Sequence, residues 1–462
     1  MEYPRISIVG LGKLGSCMAA CLAYKGFDVI GLDVNSEIVD KINAGEAPVL
    51  EPELQEMLSG SRERLRATQN YQEAILNSDI TFFVVPTPSD EDGSFSLEYV
   101  VQAGREAARA LKKKNDYHLF VLTSTVLPGS TQCSLLSVLE DESGKKCGPD
   151  FGLCYSPEFI ALGSVIQNFL NPDFILIGES DERAGKELEM CMKYACDNAP
   201  PIKRMNFTNA ELTKISINTF VTTKITFANM LSAICEKLPD GNVDVVTNAL
   251  GFDSRIGKKY LKGGLGYGGP CFPRDNAALT FLADQLGEKA TLAESTYQLN
   301  KDLGDRLVSC VLDFIEEGDR AAILGLSYKP NSNVVEESQS VYLAERLAKK
   351  NIEVSVFDPI AIENCRKVLG DLVEYAETIQ AAISNADVVV VANPDPAFKS
   401  LGIEDFQICA SPVTIIDCWR FLGEDISSCS DIEYVPVGIA RENELLLERM
   451  NGMWNRDGIG AN

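Results

Sequence analysis

Short apolar runs alternate with amphipathic stretches along the N-terminal part of the chain. Apolar residues at helical spacing predict helices, for example over residues 36–44 and 97–112. Strands that alternate with helices in this way form a parallel sheet that helices cover on both faces. The apolar runs predict strands over residues 5–9, 28–32, 80–85, 119–123, 152–155 and 174–177.

A long stretch without Pro or Gly occupies the middle of the chain, at residues 209–237. Its apolar residues recur at helical spacing, and Asn209 is suited to be the N-cap. We therefore expect one long helix. Apolar residues on more than one side are typical of a helix that connects domains or forms a subunit interface.

Strand–helix alternation returns in the C-terminal part, with strands predicted over residues 321–326, 353–357, 388–392 and 413–416. The chain is thus predicted to be an α/β protein with two Rossmann-like, doubly wound parallel-sheet domains joined by a long central helix. The predicted domains are residues 1–200, 201–315 and 316–462.

The composition indicates a globular protein and argues against membrane, secreted and nucleic-acid-binding classes. The chain is 45% hydrophobic and 24% charged, as is usual for a globular protein. No run reaches the roughly 18 apolar residues of a membrane span. The N-terminal MEYPRISIVG enters a strand directly, without a signal-peptide pattern, so a cytoplasmic protein that does not bind membranes is predicted. A formal charge of −25 argues against a nucleic-acid partner.

The cysteines and the single histidine limit the chemistry. The 14 cysteines lie mostly in apolar runs and include no CxxC pair, so reduced thiols and no metal site are predicted. His118 lies in an apolar strand pattern. Catalysis should then depend on Cys, Lys, Asp, Glu or ordered water, which argues against Ser-His-Asp hydrolases and His-ligated metalloenzymes.

A glycine motif follows the first predicted strand and opens a helix. Gly10 permits the tight turn, Gly12 lets a pyrophosphate approach the backbone, and Gly15 permits close packing of helix and strand. Asp33 ends the second strand, where a carboxylate can bind both ribose hydroxyls. Because that carboxylate would repel a 2′-phosphate, the pattern predicts NAD rather than NADP.

The most unusual stretch is GGLGYGGPCFPRD at residues 263–275, in which glycines surround Cys271. Such a loop can wrap its amides around an anion and bring the thiol close to a bound molecule. Asp275 follows Cys271 by four residues, so the two side chains share a face if a helix begins here. Lys214 and Arg274 are the candidate cations that would compensate the carboxylate.

The chain resembles the UDP-glucose/GDP-mannose dehydrogenase family over about residues 5–420. The resemblance rests on motifs in a fixed order, which is more specific than any one of them. They are GLGKLG (10–15), VPTP (85–88), STVLPG (124–129), SPEF (156–159), ELTKISINTF (211–220), DSRIG (253–257), GYGGPCFPRD (266–275) and LGLSYKP (324–330).

The resemblance implies an NAD-dependent, four-electron oxidation of a nucleotide-sugar C6 alcohol to the carboxylate, with UDP-glucose to UDP-glucuronate as the leading case. One NAD⁺ takes hydride, Cys271 captures the aldehyde as a thiohemiacetal, a second NAD⁺ takes hydride to leave a thioester, and water hydrolyses it. The implied catalytic residues are Cys271 as nucleophile, Lys214 and Asn218 at the oxyanion, Asp275 and Thr125 at the water, and Glu158 in hydrolysis.

The resemblance also implies binding residues and a homodimer built around the central helix. The implied cofactor residues are Gly10, Gly12, Leu14, Gly15, Asp33, Pro86, Thr87, Thr125 and Arg274. The implied substrate residues are Phe159, Lys214, Asn218, Arg255, Tyr260, Leu261, Tyr267, Gly268, Tyr328 and Lys329.

Several positions depart from the family pattern. Leu162 stands where the family has a second glutamate, Phe174 stands for an arginine, and Arg274 stands for a lysine. In the C-terminal part, Glu336 and Trp419 occupy positions of arginines. Since those arginines recognise cofactor or nucleotide in the family, these departures bear on substrate identity and assembly.

Alternatives remain open at this point. DSRIG and GYGGPCF are more like UDP-glucose enzymes, whereas STVLPGST and SGKKCGPDFG are more like the GDP-mannose branch. A modified or deoxy hexose or an N-acetylhexosamine also fits. A two-electron hydroxyacid-type dehydrogenase shares the Rossmann and long-helix plan and would not need Cys271. A non-catalytic homologue would bind the nucleotide sugar without oxidising it.

Overall fold

The computed structural model describes residues 3–423, 425–441 and 443–454. The chain divides into two compact units. Unit 1 is Met1–Ile217 with Phe281–Glu288, and unit 2 is Asn218–Thr280 with Lys289–Asn462. The outer ends of the predicted first and third domains, residues 1–2 and 455–462, lie outside the described residues.

Strands and helices alternate through unit 1, as predicted. Its strands join in the order β3-β2-β1-β4-β5-β6-β7-β8. Strands β1, β2, β4 and β5 are buried along their whole length, which is why their sequences are continuous apolar runs. In chain order the elements are β1 (Ile6–Val9), α1 (Lys13–Tyr24), β2 (Val29–Leu32), α2 (Ser36–Ala44), α3 (Leu54–Gly60), β3 (Leu65–Thr68), α4 (Tyr71–Leu76), β4 (Ile80–Phe83), α5 (Glu98–Leu111), β5 (His118–Leu122), a π-helical turn (Thr131–Leu136), α6 (Ser137–Ser143), β6 (Phe151–Tyr155), α7 (Val165–Leu170), β7 (Ile175–Glu179), α8 (Glu182–Ala195) and β8 (Ile202–Met205).

One pairing in this sheet differs from the predicted parallel arrangement. β6 and β7 are antiparallel, with Cys154 opposite Glu179. The connection between them contains only α7, a helix of 6 residues, and six residues of α-helix span about 9 Å. This short connection does not carry the chain back to the opposite edge of the sheet, so β7 starts at the edge where β6 ends. The 14-residue α8 does return the chain, and β8 pairs parallel with β7.

The predicted long helix is α9, Phe207–Cys235. It begins earlier than predicted, because Asn206 and not Asn209 is the N-cap: Asn206 Oδ1 accepts the Asn209 N–H at 2.9 Å. The helix starts in unit 1 and continues into unit 2.

Unit 2 contains a second sheet, in which the strands are parallel and joined in the order β11-β10-β9-β12-β13-β14. Short 3₁₀ turns lie at Pro396–Phe398, Ile403–Ile408 and Ile426–Ser428. After α9 the elements are α10 (Val243–Phe252), α11 (Phe272–Gln285), α12 (Thr291–Leu312), β9 (Arg320–Leu324), α13 (Gln339–Ala348), β10 (Glu353–Phe357), α14 (Ile362–Leu369), β11 (Glu374–Tyr375), α15 (Ile379–Ile383), β12 (Val388–Val391), β13 (Val413–Asp417), β14 (Ile432–Pro436) and α16 (Asn443–Trp454). α11 ends within the segment assigned to unit 1.

The predicted fold class, two Rossmann-like sheet domains with a long central helix, is confirmed. The strands that the prediction missed are β3, β8, β11 and β14, and each lies at an edge of its sheet. Edge strands bury only part of their side chains, and these four contain exposed or half-buried positions. Their sequences therefore lack the continuous apolar run by which the interior strands were predicted.

His118 is fully buried in β5, as predicted. Its Nε2 lies 2.7 Å from Thr81 Oγ1 and its Nδ1 lies 3.0 Å from Lys114 Nζ. Burial and then the Lys114 ammonium hold the pKa of His118 well below its usual range. The imidazole is thus neutral and structural. The described residues contain no disulfide.

Within the described ranges we find no helix that combines the length and the apolar character needed to cross a bilayer.

Candidate active site

The turn between β1 and α1 has the geometry of a dinucleotide-binding turn. Gly10 adopts a φ of +94°, and a Cβ there would lie 2.5 Å from the Val84 carbonyl oxygen. A Cβ on Gly15 would lie 1.8 Å from the Gly10 oxygen, so only glycine lets α1 start this close to β1. Gly12 caps α1 without a side-chain hydrogen bond, and a Cβ there would meet no atom within 4 Å. This open helix N-terminus fits the pyrophosphate of NAD.

The carboxylate of Asp33 is oriented beside this turn at the end of β2. Its Oδ2 accepts the Leu11 N–H at 2.7 Å and its Oδ1 accepts the Asn35 N–H at 2.9 Å. Leu14, another predicted cofactor residue, packs against the apolar core of unit 1. A partly exposed carboxylate held at this edge fits the ribose of NAD and disfavours a 2′-phosphate.

The second sheet also has a glycine turn and a carboxylate after neighbouring strands, but the carboxylate there is fully bonded to backbone amides. Gly325 follows β9 with a φ of +92°, and Asp358 follows β10 and accepts the Leu326 N–H at 2.7 Å. Asp358 also accepts the N–H groups of Ser327, Ile360 and Ala361 and is only 3% exposed. Four donors saturate a carboxylate. Asp358 therefore has no acceptor left for a ribose hydroxyl, so unit 2 duplicates the fold and not the dinucleotide site.

The loops after β4 and β5 are bonded to each other at the carboxyl edge of the first sheet. Thr87 Oγ1 donates to the Thr125 carbonyl at 2.8 Å, and Ser124 Oγ donates to the Val85 carbonyl at 2.6 Å. Pro86 lies between Val85 and Thr87, the two residues of its loop that make these hydrogen bonds. The structure thus brings together the predicted residues Pro86, Thr87 and Thr125.

The SPEF segment after β6 meets the first turns of α9. Lys214 Nζ donates to the Glu158 carbonyl at 2.8 Å and lies 4.7 Å from the centroid of the Phe159 ring. Burial raises the pKa of the Glu158 carboxyl to about 7, against the opposing effect of Lys214. Phe174, which replaces the family arginine, stacks on Phe159 with ring centroids 4.8 Å apart. Leu162, at the position of the family's second glutamate, packs against the apolar core.

The glycine-rich loop of unit 2 is held by two buried asparagines. Asn229 of α9 accepts the Gly264 N–H at 2.8 Å and donates to the Leu265 carbonyl at 3.1 Å. Asn300 of α12 accepts the Tyr267 N–H at 2.8 Å and donates to the Tyr267 carbonyl at 2.9 Å. These four hydrogen bonds tie Gly264, Leu265 and Tyr267 of the loop to α9 and α12.

Glycine is required where this loop packs against the C-terminal part of unit 2. A Cβ on Gly264 would lie 2.7 Å from the Trp419 ring, and one on Gly269 would lie 2.7 Å from the Tyr328 ring. The Gly269 N–H donates to the Glu336 carbonyl at 2.9 Å. The amides of Gly264, Tyr267 and Gly269 thus bond within the protein. That the loop wraps its amides around an anion stays a prediction.

Cys271 ends the loop and caps α11. Its carbonyl accepts the Asp275 N–H at 2.9 Å, and the residue is exposed. A helix N-terminus favours a thiolate. Asp275, one turn further on, is fully buried; its Oδ2 accepts from Asn218 Nδ2 at 2.6 Å and its Oδ1 from Arg274 Nε at 3.4 Å. The predicted residues Asn218, Cys271, Arg274 and Asp275 thus meet at the first turn of α11, and Lys214 precedes Asn218 by one turn of α9.

Three predicted substrate residues follow α10. Arg255 is exposed and its Nη2 pairs with Asp253 Oδ2 at 2.6 Å. Tyr260 is half-exposed with a φ of +65°, whereas Leu261 is buried. Arg255 does not line the cavity of the same unit that the predicted residues Gly268, Tyr328 and Lys329 line.

That cavity, of about 110 Å³, opens at the carboxyl edge of the second sheet. Several of its lining residues directly follow β9, β12 and β13. The strand order reverses between β9 and β12, and α/β proteins bind ligands at such a point. The predicted residues Gly268, Tyr328 and Lys329 line it, and Tyr267 is buried next to Gly268 in the same loop. Trp419, which occupies the position of a family arginine, also lines the cavity, as do Ser327, Gln339 and Asn393, which were not predicted as substrate residues.

Asn393 shows how a missed residue could have been found. It directly follows the apolar run of β12, the position from which α/β sheets present binding groups. Its Nδ2 donates to Ser327 Oγ at 2.9 Å, and its Oδ1 has no hydrogen-bond partner among the described residues.

The altered C-terminal positions have definite structural roles. Trp419 Nε1 donates to the Ala392 carbonyl at 2.9 Å. The side chain of Arg420, the next residue, is only 4% exposed and binds Asp244 and the Gly263 carbonyl. Glu336 is exposed. Across the described ranges, no group of three or more His, Cys, Asp and Glu side chains could hold a metal ion.

Family models cover most of the chain. The NAD-binding domain of the UDP-glucose/GDP-mannose dehydrogenase family matches residues 4–195, the central domain matches residues 208–302, and the UDP-binding domain matches residues 322–424.

Known proteins resemble the chain over nearly their full length. A UDP-glucose 6-dehydrogenase of Haloferax volcanii is 36% identical over 403 residues, which are 86% of this chain and 93% of that protein. A GDP-mannose 6-dehydrogenase of Pseudomonas putida is 34% identical over 450 residues, 93% and 99% of the two chains. The solved structure of a UDP-glucose dehydrogenase from Pyrobaculum islandicum superposes with a TM-score of 0.86 at 33% identity, covering 95% of this chain and 98% of the other.

Proposed function

Because the chain belongs to the UDP-glucose/GDP-mannose dehydrogenase family, we propose that it oxidises the C6 alcohol of UDP-glucose to the carboxylate through a covalent intermediate on Cys271. One observation carries this proposal: an exposed thiol at the N-terminus of α11, one turn from a buried carboxylate that binds Asn218. We assign NAD to residues 1–200, the Cys loop to residues 201–315 and the nucleotide to residues 316–462.

NAD would be held by the GLGKLG turn, Asp33 and the loops after β4 and β5, and would supply the hydride acceptor for each oxidation at C6. The C6 hydroxyl proton of the first oxidation leaves to ordered water. The Cys271 thiolate adds to the C6 aldehyde and forms a C–S bond, and the carbonyl oxygen becomes an oxyanion. Lys214 and Asn218 stabilise that charge. Loss of hydride leaves a thioester. Water then attacks its carbonyl carbon, the C–S bond breaks, and the thiolate leaves.

Glu158 is the proposed base for this hydrolysis, with Thr125 and Asp275 positioning the water. A base acts best when its pKa is near the working pH, and burial raises the pKa of Glu158 to about 7. We expect kcat to rise with pH through about 7 as the carboxyl loses its proton. Glu158→Gln should lower kcat by about 10²-fold and remove this inflection, as a pH profile of initial rates would record.

The matched control is Glu182→Gln, an exposed carboxyl of α8 that pairs with Lys186 at 2.7 Å. It should leave the profile unchanged. An inflection near neutral pH that persists in Glu158→Gln would reject Glu158 as the base.

The choice of UDP-glucose rests on the DSRIG and GYGGPCF motifs and on a UDP-glucose 6-dehydrogenase relative at 36% identity. GDP-mannose is the second candidate, favoured by the GDP-mannose 6-dehydrogenase at 34% identity. A panel of UDP-, GDP- and dTDP-sugars with NAD⁺, monitored by NADH absorbance, tests both. Turnover of UDP-glucose above all others supports the proposal, and preferred turnover of another sugar replaces it.

Two further candidates give different results in the same assay. A two-electron hydroxyacid-type dehydrogenase would turn over its substrate equally well without Cys271. A non-catalytic homologue would be stabilised against heat by a nucleotide sugar and would produce no NADH.

We also propose a homodimer through the central helix. Phe220, Phe227 and Ile234 of α9 are exposed and recur every seven residues, so they form an apolar stripe on one face. A charge at Phe227 would be buried without a partner in such an interface, so Phe227→Glu should raise the dimer Kd by about 10²-fold. Sedimentation velocity measures this. Val368→Glu, at an exposed apolar residue of α14, is the control and should keep the wild-type dimer Kd; an unchanged Kd in Phe227→Glu would contradict the interface.

A further inference from the structure

A buried carboxylate of α9 binds the loop that carries Thr125. Glu211 is 0% exposed. Its Oε2 accepts the Gly129 N–H at 2.6 Å and its Oε1 accepts the Thr131 N–H at 2.8 Å. We call residues 123–131 the Thr125 loop. Before Thr125, Ser124 Oγ donates to the Val85 carbonyl, and Thr87 Oγ1 donates to the Thr125 carbonyl itself, so the loop is held on both sides of Thr125.

A second carboxylate makes the same arrangement with the loop that carries Glu158. Glu51, which precedes α3, is 9% exposed. Its Oε2 accepts the Gly163 N–H at 2.9 Å and its Oε1 accepts the Val165 N–H at 2.8 Å. We call residues 156–165 the Glu158 loop. Lys214 binds the Glu158 carbonyl of this loop, so it too is held at two points.

Burying a carboxylate is costly unless strong hydrogen bonds replace its hydration. Bonds from backbone N–H groups to an ionised carboxylate are short and are about twice as strong as neutral ones. In both arrangements each carboxylate oxygen binds one backbone amide. Two such bonds fix the orientation of the loop as well as its distance from the carboxylate. Glu211 lies one turn before Lys214 on α9, so that single turn contacts both loops.

We propose that Glu51 and Glu211 are positioning residues, which hold the Glu158 and Thr125 loops in the geometry required to hydrolyse the thioester on Cys271. This inference rests on the proposed function. Neither carboxylate touches the reacting atoms; each acts through the loop that it binds. Replacement by glutamine keeps the size of the side chain but puts an NH₂ group against a backbone N–H, so one of the two bonds is lost.

The structural half of the inference is that each carboxylate holds its loop. Hydrogen exchange tests this half without any need for enzyme activity. In Glu211→Gln, the amides of residues 124–131 should exchange at least about tenfold faster, since a hydrogen bond to a charged group is lost. Exchange in residues 160–165 should stay unchanged. Glu51→Gln should give the reverse pattern, so each variant is the control for the other. Unchanged exchange in a variant's own loop would overturn the proposal for that residue.

The catalytic half is that the held loops are needed to hydrolyse the thioester. The intact mass of the protein, measured after acid quenching during turnover, tests this half. We expect kcat to fall about tenfold while KM changes little, and a sugar-acid adduct on the protein to accumulate, because hydrolysis is the slowed step. The adduct should vanish when Cys271→Ala is added. A lower kcat without the adduct would indicate a merely structural role and overturn the assignment. Glu211→Asp, which keeps the charge and shortens the side chain, should change both measurements in the same direction and serves if the glutamine variant does not fold.

Failure of the proposed function looks different. Wild-type protein would then form no NADH and no adduct with any nucleotide sugar, and the catalytic half would fail with it. The exchange pattern would still decide whether each carboxylate holds its loop.

Discussion

Replacement of Cys271 by alanine is expected to abolish formation of the sugar acid, with kcat lower by about four orders of magnitude. Without the thiol the aldehyde cannot become a thiohemiacetal, so the second oxidation has no covalent substrate. Steady-state NADH formation with product analysis measures the effect. Cys271→Ser should accumulate an oxygen ester, because an oxygen ester hydrolyses more slowly than a thioester.

Cys133 provides the matched control. It is exposed like Cys271 but lies in the π-helical turn before α6. Cys133→Ala should therefore turn over at the wild-type rate. Full acid formation by Cys271→Ala would reject the covalent mechanism, whereas undiminished formation of one NADH per substrate by this variant would favour the two-electron alternative.

Replacement of Arg420 by methionine should lower the free energy of unfolding of unit 2 by about 2–4 kcal/mol. The guanidinium joins α10, the glycine loop and the segment after β14: it binds Asp244 at 2.8 and 2.9 Å, the Gly263 carbonyl at 2.6 Å and the Val437 carbonyl at 2.5 Å. Its removal leaves the two carbonyls without their donor in a site where the Arg420 side chain is 4% exposed, whereas Asp244, whose side chain is 43% exposed, can bind water instead. Urea denaturation followed by tryptophan fluorescence, to which Trp419 contributes, measures the loss.

Arg346→Met is the control for this prediction. Arg346 pairs with Asp305 at 4.0 Å, and both side chains are about half-exposed or more. Exposed pairs contribute at most about 1 kcal/mol. A loss for Arg420→Met no larger than that for Arg346→Met would show that the buried guanidinium does not hold the loop.

The interior of both sheets could be predicted from the sequence because buried parallel strands are continuous apolar runs. β10 was predicted over 353–357 and lies at Glu353–Phe357. Edge strands such as β11, which has 2 residues, carry no such pattern. The start of α9 was missed because two asparagines three residues apart can both cap a helix, and only the backbone path selects Asn206.

The dinucleotide turn was predictable because its glycines and Asp33 follow one another along the chain. Glu51 and Glu211 were not, since each binds amides far away in sequence, with separations of 112 and 114 residues for Glu51 and 82 and 80 for Glu211. Composition likewise could not reveal that Asn229 and Asn300 use the amides of the glycine loop. Such contacts depend on tertiary packing and leave no local pattern.

The number of NADH molecules formed per nucleotide sugar consumed tests the central claim most directly. Purified protein with NAD⁺ and limiting UDP-glucose should form two NADH per sugar, with the carboxylate as the only sugar product. One NADH per sugar, with the aldehyde released, would contradict a four-electron oxidation through Cys271.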